Sequence, residues 1–272
     1  MHFRWLACFL MVTAFFGTPL PAKAHYHVYW PQQPGCYGQV GVPVKWQYFW
    51  GHPFDMLISD AKPQKFFIRT PDGRKEAVSL QLITLTDQES GQHRQAYELE
   101  YKPLIPGDYY LCLESSPEFI PEEKLFQQDY VKEVWHVGEE KGWDKPVGLV
   151  FEILPLTRPY GWPAGSVFKA QARFMGKPLK GAVVEVEKFQ GVFVPKDKLP
   201  KDHLGEHNLP LITRVTKTDA QGYLTVTLDS PGWWLIAVLH PHGKKTLEGK
   251  TYPVEHRACL WLHLEAPPAP DP

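Results

Sequence analysis

The sequence lacks any hydrophobic run long enough to cross a bilayer. Its longest apolar stretch, residues 5–16, is about a dozen residues, whereas a membrane-spanning helix needs roughly 20. The stretch follows Arg4 and precedes the small-residue triplet Ala22-Lys23-Ala24, and together these form the three parts of a secretory signal. We predict that residues 1–24 are a cleaved signal peptide and that the mature protein is periplasmic or secreted.

The sequence also lacks an excess of charge of either sign. With 29 Lys and Arg residues against 30 Asp and Glu residues, the formal net charge is −1, and no basic patch stands out. This balance argues against nucleic acid or an anionic membrane surface as a partner. A nucleophile elbow, a phosphate-binding loop, a zinc-protease motif and a cysteine-pair motif are absent too. The sequence thus shows no familiar hydrolytic or phosphate-binding motif, and we predict that the protein is not an enzyme.

Cysteine is scarce. Cys36, Cys112 and Cys259 remain after removal of the signal peptide, and their spacing does not resemble that of a zinc site. An oxidising compartment permits one disulfide bond, and Cys36 with Cys112 is the favoured pair because both fall in the first half. The alternative, that all three are small buried residues in strands, stays equally open.

Helical periodicity is nearly absent, while short β-rich runs alternate with Pro and Gly turns. This pattern predicts an all-β fold, in the form of two immunoglobulin-like or transthyretin-like β-sandwich domains in tandem after the cleaved signal peptide. One short helix is predicted just after Pro121, where Glu122 and Glu123 suit the positive end of a helix dipole. The predicted strands are residues 40–50, 65–69, 77–86, 94–101, 108–114, 131–137, 167–174, 182–189, 214–218, 223–228, 233–240 and 259–264.

The Pro-rich stretch at residues 156–163 marks the predicted boundary between the two domains. The N-terminal β-sandwich covers residues 25–155 and is the predicted metal-binding domain. The C-terminal β-sandwich, residues 156–265, has a carboxypeptidase-regulatory-like pattern, and residues 266–272 form a Pro-rich tail that we predict to be disordered.

The residues that follow the predicted cleavage site are the strongest candidates for functional residues. If the signal peptidase cuts after Ala24, His25 offers both a free α-amine and an imidazole, and His27 follows two positions on. Such neutral nitrogens suit nickel, cobalt, copper and zinc. Residues two apart on a strand project to the same face, so both rings can reach one ion. The alternative is that a cut merely precedes a histidine and that His27 is an ordinary strand residue.

His52 follows a predicted strand and precedes Pro53, so it lies at a strand end, where functional residues are often found. A lone exposed loop histidine is the commoner explanation, and proximity to the mature N-terminus would favour a role for His52 as a metal ligand. Whether His136, His240 or His242 joins the site stays open. His203 and His207 lie in a polar stretch interpreted as solvated surface, and His256 has no distinguishing context.

An ordered set of short motifs spans nearly the whole mature chain. The set is Ala24-His25, residues 51–56 (GHPFDM), 130–132 (YVK), 142–144 (GWD), 148–161 (GLVFEILPLTRPYG), 176–179 (GKPL), Thr218-Asp219 with Gly222, 231–234 (PGWW) and 250–254 (KTYPV). In this order the motifs resemble the periplasmic component associated with nickel/cobalt uptake transporters, within a wider group of secreted two-sandwich proteins.

The resemblance implies capture of Ni²⁺ or Co²⁺ and transfer to an inner-membrane metal transporter subunit. It also implies that His25 and His52 are ligands, and His27 is added to them from its spacing. The chain departs from the family pattern at residues 127–130 (QQDY), which replace a run that usually includes a histidine. If that histidine contributes to the metal, the site is altered here.

Two further hypotheses remain. The same nitrogens can hold Cu²⁺ or Zn²⁺, and an N-terminal histidine with a second histidine resembles the copper site of a histidine brace, in an oxidative enzyme or a copper carrier. Alternatively, the two sandwiches form a glycan-binding or adhesion module that uses its many aromatic residues. The sequence leaves open the metal, the transporter and the oligomeric state.

Overall fold

The computed structural model describes residues 25–205 and 209–266. The predicted signal peptide, His207 and all but the first residue of the predicted tail lie outside the described residues. The all-β prediction is confirmed, because the described chain forms eighteen strands in three sheets. Its helical content is limited to two 3₁₀ turns, Lys196–Lys198 and Leu209–Leu211. No helix within the described ranges has the length and apolar character needed to span a membrane.

The first sheet has five strands, all from the first half of the chain. They are β1 (Tyr26–Pro31), β2 (Val44–Gly51), β3 (Ile58–Ser59), β6 (Leu80–Thr86) and β7 (His93–Tyr101). Their order is β1-β2-β7-β6, with β3 also paired to β2, and every pairing is antiparallel.

The second sheet has nine strands and draws on both halves of the chain. They are β4 (Lys65–Arg69), β5 (Lys75–Ala77), β8 (Gly107–Glu114), β9 (Glu118–Ile120), β10 (Leu125–Val137), β14 (Val183–Lys188), β15 (Thr213–Lys217), β17 (Gly232–Leu247) and β18 (Lys250–Leu264). Their order is β15-β14-β17-β18-β10-β8-β4-β5, with β9 beside β10. The two halves meet where β10 and β18 pair in parallel.

The third sheet has four strands, and all of them follow residue 150. They are β11 (Phe151–Pro155), β12 (Val167–Phe174), β13 (Lys177–Pro178) and β16 (Tyr223–Thr227). β12 pairs with each of the other three.

The second sheet is the middle layer of three. Along β10, Glu133 accepts a hydrogen bond from Trp46 of β2, whereas its neighbour Lys132 pairs with Glu152 of β11. Since consecutive residues of a strand project to opposite faces, the first sheet covers one face of the middle sheet and the third sheet covers the other. β10 is therefore buried over most of its length, as expected for a strand covered on both faces.

The predicted helix after Pro121 is wrong. Residues 121–124 form a turn, in which Lys124 has a φ of 55°, and they connect β9 to β10 in an antiparallel hairpin. The acidic residues favour a helix start only locally. The following segment is needed as a central strand between β8 and β18, and this tertiary pairing overrides the local preference.

Cys36, Cys112 and Cys259 are all free and buried, so the favoured Cys36–Cys112 disulfide is absent. The alternative of buried strand residues holds for Cys112 in β8 and Cys259 in β18, whereas Cys36 lies in a turn. Burial raises the pKa of each thiol. These cysteines pack as small apolar side chains in the core.

The division at residues 155 and 156 stays a prediction. The topology adds that β11, which precedes this point, pairs with β12, and that β18 pairs with β10. The two halves therefore share backbone hydrogen bonds across the middle sheet.

Candidate metal site at the start of the first strand

His25 and His52 lie side by side. β1 and β2 pair antiparallel, with Tyr26 opposite Gly51 and His27 opposite Trp50. Continuing this register by one residue brings His25 to His52, and the centroids of their rings are 4.4 Å apart at an interplanar angle of 64°. The structure thus brings together two of the three histidines that the sequence predicts as metal ligands.

Trp50 lies between the histidines of the first strand. The ring of His25 stacks on it at a centroid distance of 5.8 Å, and the ring of His27 lies 4.5 Å from it. Side chains two apart on paired strands share a face, so both histidines and Trp50 project from the same side of the first sheet. The predicted common face is therefore present.

His27 lies deeper than His25 and is engaged by other residues. Its Nδ1 is 2.8 Å from the hydroxyl of Tyr48, and its Nε2 is 3.6 Å from Oδ2 of Asp129. Burial lowers the pKa of His27 to about 4, so the ring is neutral at pH 7. Both nitrogens face protein groups, and the role of His27 as a ligand stays a prediction.

A tight loop presents His52. The amide of His52 donates to the carbonyl of Leu57 at 3.0 Å, and the amide of Met56 donates to the carbonyl of His52 at 3.1 Å. A Cβ at Gly51 would lie 2.0 Å from the carbonyl oxygen of Leu57, so only glycine allows the loop to close this tightly. The close approach of the Leu57 carbonyl therefore requires glycine at position 51, immediately before His52.

The two ring nitrogens of His52 have different surroundings. Nδ1 lies 3.3 Å from Oδ1 of Asp55, an ion-pair distance without a hydrogen bond, whereas Nε2 is buried and has no hydrogen-bond partner among the described residues. A histidine that binds a metal usually presents its other nitrogen to a carboxylate or carbonyl. Because an unpartnered buried nitrogen costs free energy, this arrangement suits a ligand at Nε2.

The second half of the chain supports this loop. Oε1 of Glu187 in β14 accepts from the amide of Phe54 at 3.2 Å, and the amide of Val194 donates to the carbonyl of Asp55 at 3.1 Å. Burial raises the pKa of Glu187 to about 7. The loop that carries His52 is therefore held between the first sheet and the segment after β14.

Arg257 of β18 fixes the backbone of His25. Its Nη2 donates to the carbonyl oxygen of His25 at 2.7 Å, and its guanidinium is bound to Asp129 by contacts of 2.6 and 2.9 Å. Ser59 adds a longer contact, with its Oγ 3.4 Å from Nε2 of His25. The sequence gives no local signal for Arg257, because its role depends on a strand far along the chain.

The remaining histidines lie elsewhere. His136 binds Asp108 at 2.8 Å, and His240 and His242 contact Phe174 of the third sheet. Over residues 25–205 and 209–266, no three His, Cys, Asp or Glu side chains converge, in the positions they have here, so as to hold a metal ion. The amine of a mature chain that begins at His25 is not a side chain, so His25 and His52 alone would supply three nitrogens.

A family model described as a domain of unknown function (DUF4198) matches residues 22–242. A search of curated proteins finds no match.

Among solved structures, similar chains are the D0–D1 domain of intimin, an Escherichia coli alpha-2-macroglobulin and a DUF4785 family protein from Legionella pneumophila. Intimin is 10% identical with a TM-score of 0.22, and the alignment covers 88% of this chain and 100% of that one. The macroglobulin is 14% identical with a TM-score of 0.24, covering 89% and 20%. The Legionella protein is 12% identical with a TM-score of 0.27, covering 75% and 51%. The chain thus spans a fifth of the macroglobulin and half of the Legionella protein, and these distant likenesses carry no argument.

Proposed function

This chain belongs to the DUF4198 family, and from that premise we propose that it is an extracytoplasmic binding protein for a divalent transition metal. Nickel or cobalt is the proposed cargo, and an inner-membrane transporter subunit is the proposed recipient. The metal is captured and handed on, with no chemical conversion. The ordered motifs described above support this assignment by resemblance, and the geometry around His25 supports it independently.

The observation that carries the proposal is the pairing of His25 with His52. Their ring centroids are 4.4 Å apart, and the buried Nε2 of His52 has no partner among the described residues. Imidazole and amine nitrogens suit nickel, cobalt, copper and zinc. His25 supplies a ring and, once processed, an amine, while His52 supplies the third nitrogen. Backbone or solvent oxygens complete the coordination.

Electrostatics favour a cation at this position. Asp55 lies beside the ring of His52, and Glu187 accepts a hydrogen bond from the next residue, Phe54. A carboxylate next to the far nitrogen of a ligating imidazole orients the ring and raises its basicity. The ion would therefore bind on the Nε2 side of His52, with the charge of Asp55 behind the ring.

Processing controls the site. The amine of His25 is a ligand only when the chain is cut after Ala24, because an amide nitrogen within the chain is a far poorer donor. The proposal therefore includes export to the periplasm or beyond, with signal peptidase completing the site.

Calorimetry with Ni²⁺, Co²⁺, Cu²⁺ and Zn²⁺ tests the proposal. We compare the chain beginning at His25 with the same chain carrying one added Ser ahead of His25, with His52→Ala, and with His93→Ala as an exposed control on β7. The added Ser and His52→Ala should each abolish the tightest binding event, and His93→Ala should leave it. Unchanged affinity in the first two variants would refute the site. Urea unfolding of each variant checks that the fold is intact.

Copper is a second candidate cargo, and the two-residue composition of the site favours it. Two nitrogens from His25 and one from His52 can make the T-shaped arrangement of a histidine brace, and Cu²⁺ stands above Ni²⁺ in intrinsic affinity. Electron paramagnetic resonance of the copper-loaded protein, followed by a peroxide-dependent oxidation assay, separates the outcomes. Turnover would identify an oxidative enzyme, whereas binding without turnover would identify a copper carrier.

A further inference from the structure

A second group of histidines lies on the opposite side of the middle sheet. His256 and Arg257 are consecutive in β18, so they project to opposite faces. Arg257 faces His25, whereas the ring of His256 lies 5.4 Å from the ring of Phe174 in the third sheet. Anything bound at His256 is therefore separated from His25 by the backbone of the sheet.

Three imidazoles surround Phe174. Its ring centroid is 4.6 Å from that of His240, 5.0 Å from that of His242 and 5.4 Å from that of His256. His240 and His242 stack on each other at 5.4 Å, and His242 lies 6.1 Å from His256. We call His240, His242 and His256 the second histidine cluster.

A β-bulge assembles the second histidine cluster. His240 pairs with His256 across the β17–β18 hairpin, and the register then shifts between Pro241 and Lys244. The extra residue in β17 falls at His242 and Gly243, where Gly243 has a φ of 85°. This shift places His242 at the exposed rim, beside both His240 and His256.

Hydrogen bonds leave lone pairs available in the second histidine cluster. Nε2 of His256 lies 3.1 Å from the carbonyl oxygen of His242, and since a carbonyl only accepts, Nε2 carries the hydrogen. Nδ1 of His256 then bears the lone pair, with only a long contact of 3.4 Å to the hydroxyl of Tyr130. The carbonyl of His242 thus fixes the tautomer of His256, as a carbonyl or carboxylate does for a histidine that binds a metal through its other nitrogen. The rings of His240 and His242 make no hydrogen bond to the described residues.

Burial lowers the pKa of His240 and of His256 below the ordinary value, which keeps both rings neutral at pH 7. Neutral imidazole is the form that binds a metal. Because an imidazole nitrogen lies ~2 Å from its ion, two rings on one ion have centroids about 5 Å apart, compared with 5.4 Å between His240 and His242 and 6.1 Å between His242 and His256. The nitrogens do not yet converge on one point, and the exposed ring of His242 has to turn toward the ion.

We propose that His240, His242 and His256 form a second site for a divalent transition metal that prefers nitrogen ligands, such as Cu²⁺, Ni²⁺ or Zn²⁺. His240 and His242 bind as a pair from one strand, and His256 joins them through Nδ1. The site is open to solvent through His242 and needs neither cleavage nor the amine of His25. It binds independently of the first site.

The test uses a full mature chain whose first site is silenced by an added Ser ahead of His25 together with His52→Ala. Titration of this protein with Cu²⁺, Ni²⁺ and Zn²⁺ by calorimetry should show one remaining equivalent. Adding His242→Ala or His256→Ala should abolish it, and adding His93→Ala should not. Because the first site is already silent, failure here leaves the proposed function untouched.

Two results would overturn the second site. One is a silenced protein that binds no metal, and the other is residual binding that survives both His242→Ala and His256→Ala. His242 is exposed, so its replacement tests the site even if His256→Ala disturbs the fold. As an independent readout, imidazole ¹⁵N spectra with Zn²⁺ should shift the resonances of all three cluster histidines, whereas unshifted resonances would contradict the proposal.

Discussion

Arg257 donates a hydrogen bond to the main-chain carbonyl of His25 across 232 positions of sequence. The same guanidinium holds the buried carboxylate of Asp129 with two contacts, at 2.6 and 2.9 Å. Arginine alone offers a planar, permanently charged fork for such a pair and a further donor for the carbonyl. The first residue of the predicted mature chain is thus positioned by a strand of the second half.

Replacing Arg257 should strongly destabilise the protein and weaken metal binding at the first site. Arg257→Met leaves Asp129 as an unpaired buried charge, which typically costs about 3–5 kcal/mol in the free energy of unfolding. It also frees the backbone of His25, so metal affinity at the first site should fall. Urea unfolding and calorimetry measure both effects. The matched control is Arg214→Met, which breaks an exposed pair with Asp229 and should cost ~0–1 kcal/mol. Similar losses in the two variants would contradict the anchoring role.

Asp55→Asn should weaken metal binding with little effect on stability. The substitution removes the negative charge 3.3 Å from Nδ1 of His52 but keeps the backbone contact with Val194. Loss of such a partner typically weakens metal affinity by about 10–100-fold. Calorimetry at constant pH gives the change, and Asp144→Asn, beside exposed Lys145, is the control. An affinity that stays within error of the unmodified protein would remove Asp55 from the site.

Gly51→Ala should open the loop that carries His52. The new Cβ would meet the carbonyl oxygen of Leu57 at 2.0 Å, and forced overpacking of this kind costs about 1–3 kcal/mol. Metal affinity should fall with it, because His52 moves away from His25. Gly38→Ala is the control, since its Cβ would meet side chains rather than backbone, the nearest being Val137 at 3.3 Å. Unfolding and calorimetry on both variants separate the two effects.

Glu133 should make stability depend on pH. Trp46 and Trp135 both donate to its Oε1 at 2.7 Å, and burial raises its pKa to about 8. The carboxyl is therefore protonated in the folded protein while it ionises in the unfolded chain above its ordinary pKa of about 4.3. The contribution of Glu133 to the free energy of unfolding is therefore largest when the pH is below this ordinary pKa. It is lost as the pH rises toward about 8, at ~1.4 kcal/mol per pH unit.

Glu133→Gln removes this titration and keeps a similar shape. Urea unfolding between pH 5 and pH 8 should show the stability of Glu133→Gln rising relative to the unmodified protein as pH increases. Parallel curves for the two proteins would show that Glu133 does not titrate in this range.

Local patterns were sufficient for many of the strands and for half of the candidate site, but β3, β9, β11 and β13 were not predicted and β18 was predicted only from residue 259 onward. The run 167–174 coincides with β12, because alternation of buried and exposed side chains is a property of neighbouring residues. The common face of His25 and His27 follows from the same alternation. Arg257 and His256 carried no local signal, since each acts through partners distant in sequence. The turn at residues 121–124 was missed because the position of β10 in the middle sheet, rather than its composition, decides its conformation.

The contact between Arg257 and His25 also sets an order of events during folding. β18 is synthesised after all the other strands that the structure describes, yet it carries the arginine that fixes the backbone of His25. On the proposed export and cleavage, a chain still emerging from the secretion channel would have a cut N-terminus but no anchor for its first residue. If His25 binds metal as proposed, capture would therefore wait for complete export. Such long-range closure is slow compared with hairpin formation, so the proposed site would load its metal only after the chain has folded.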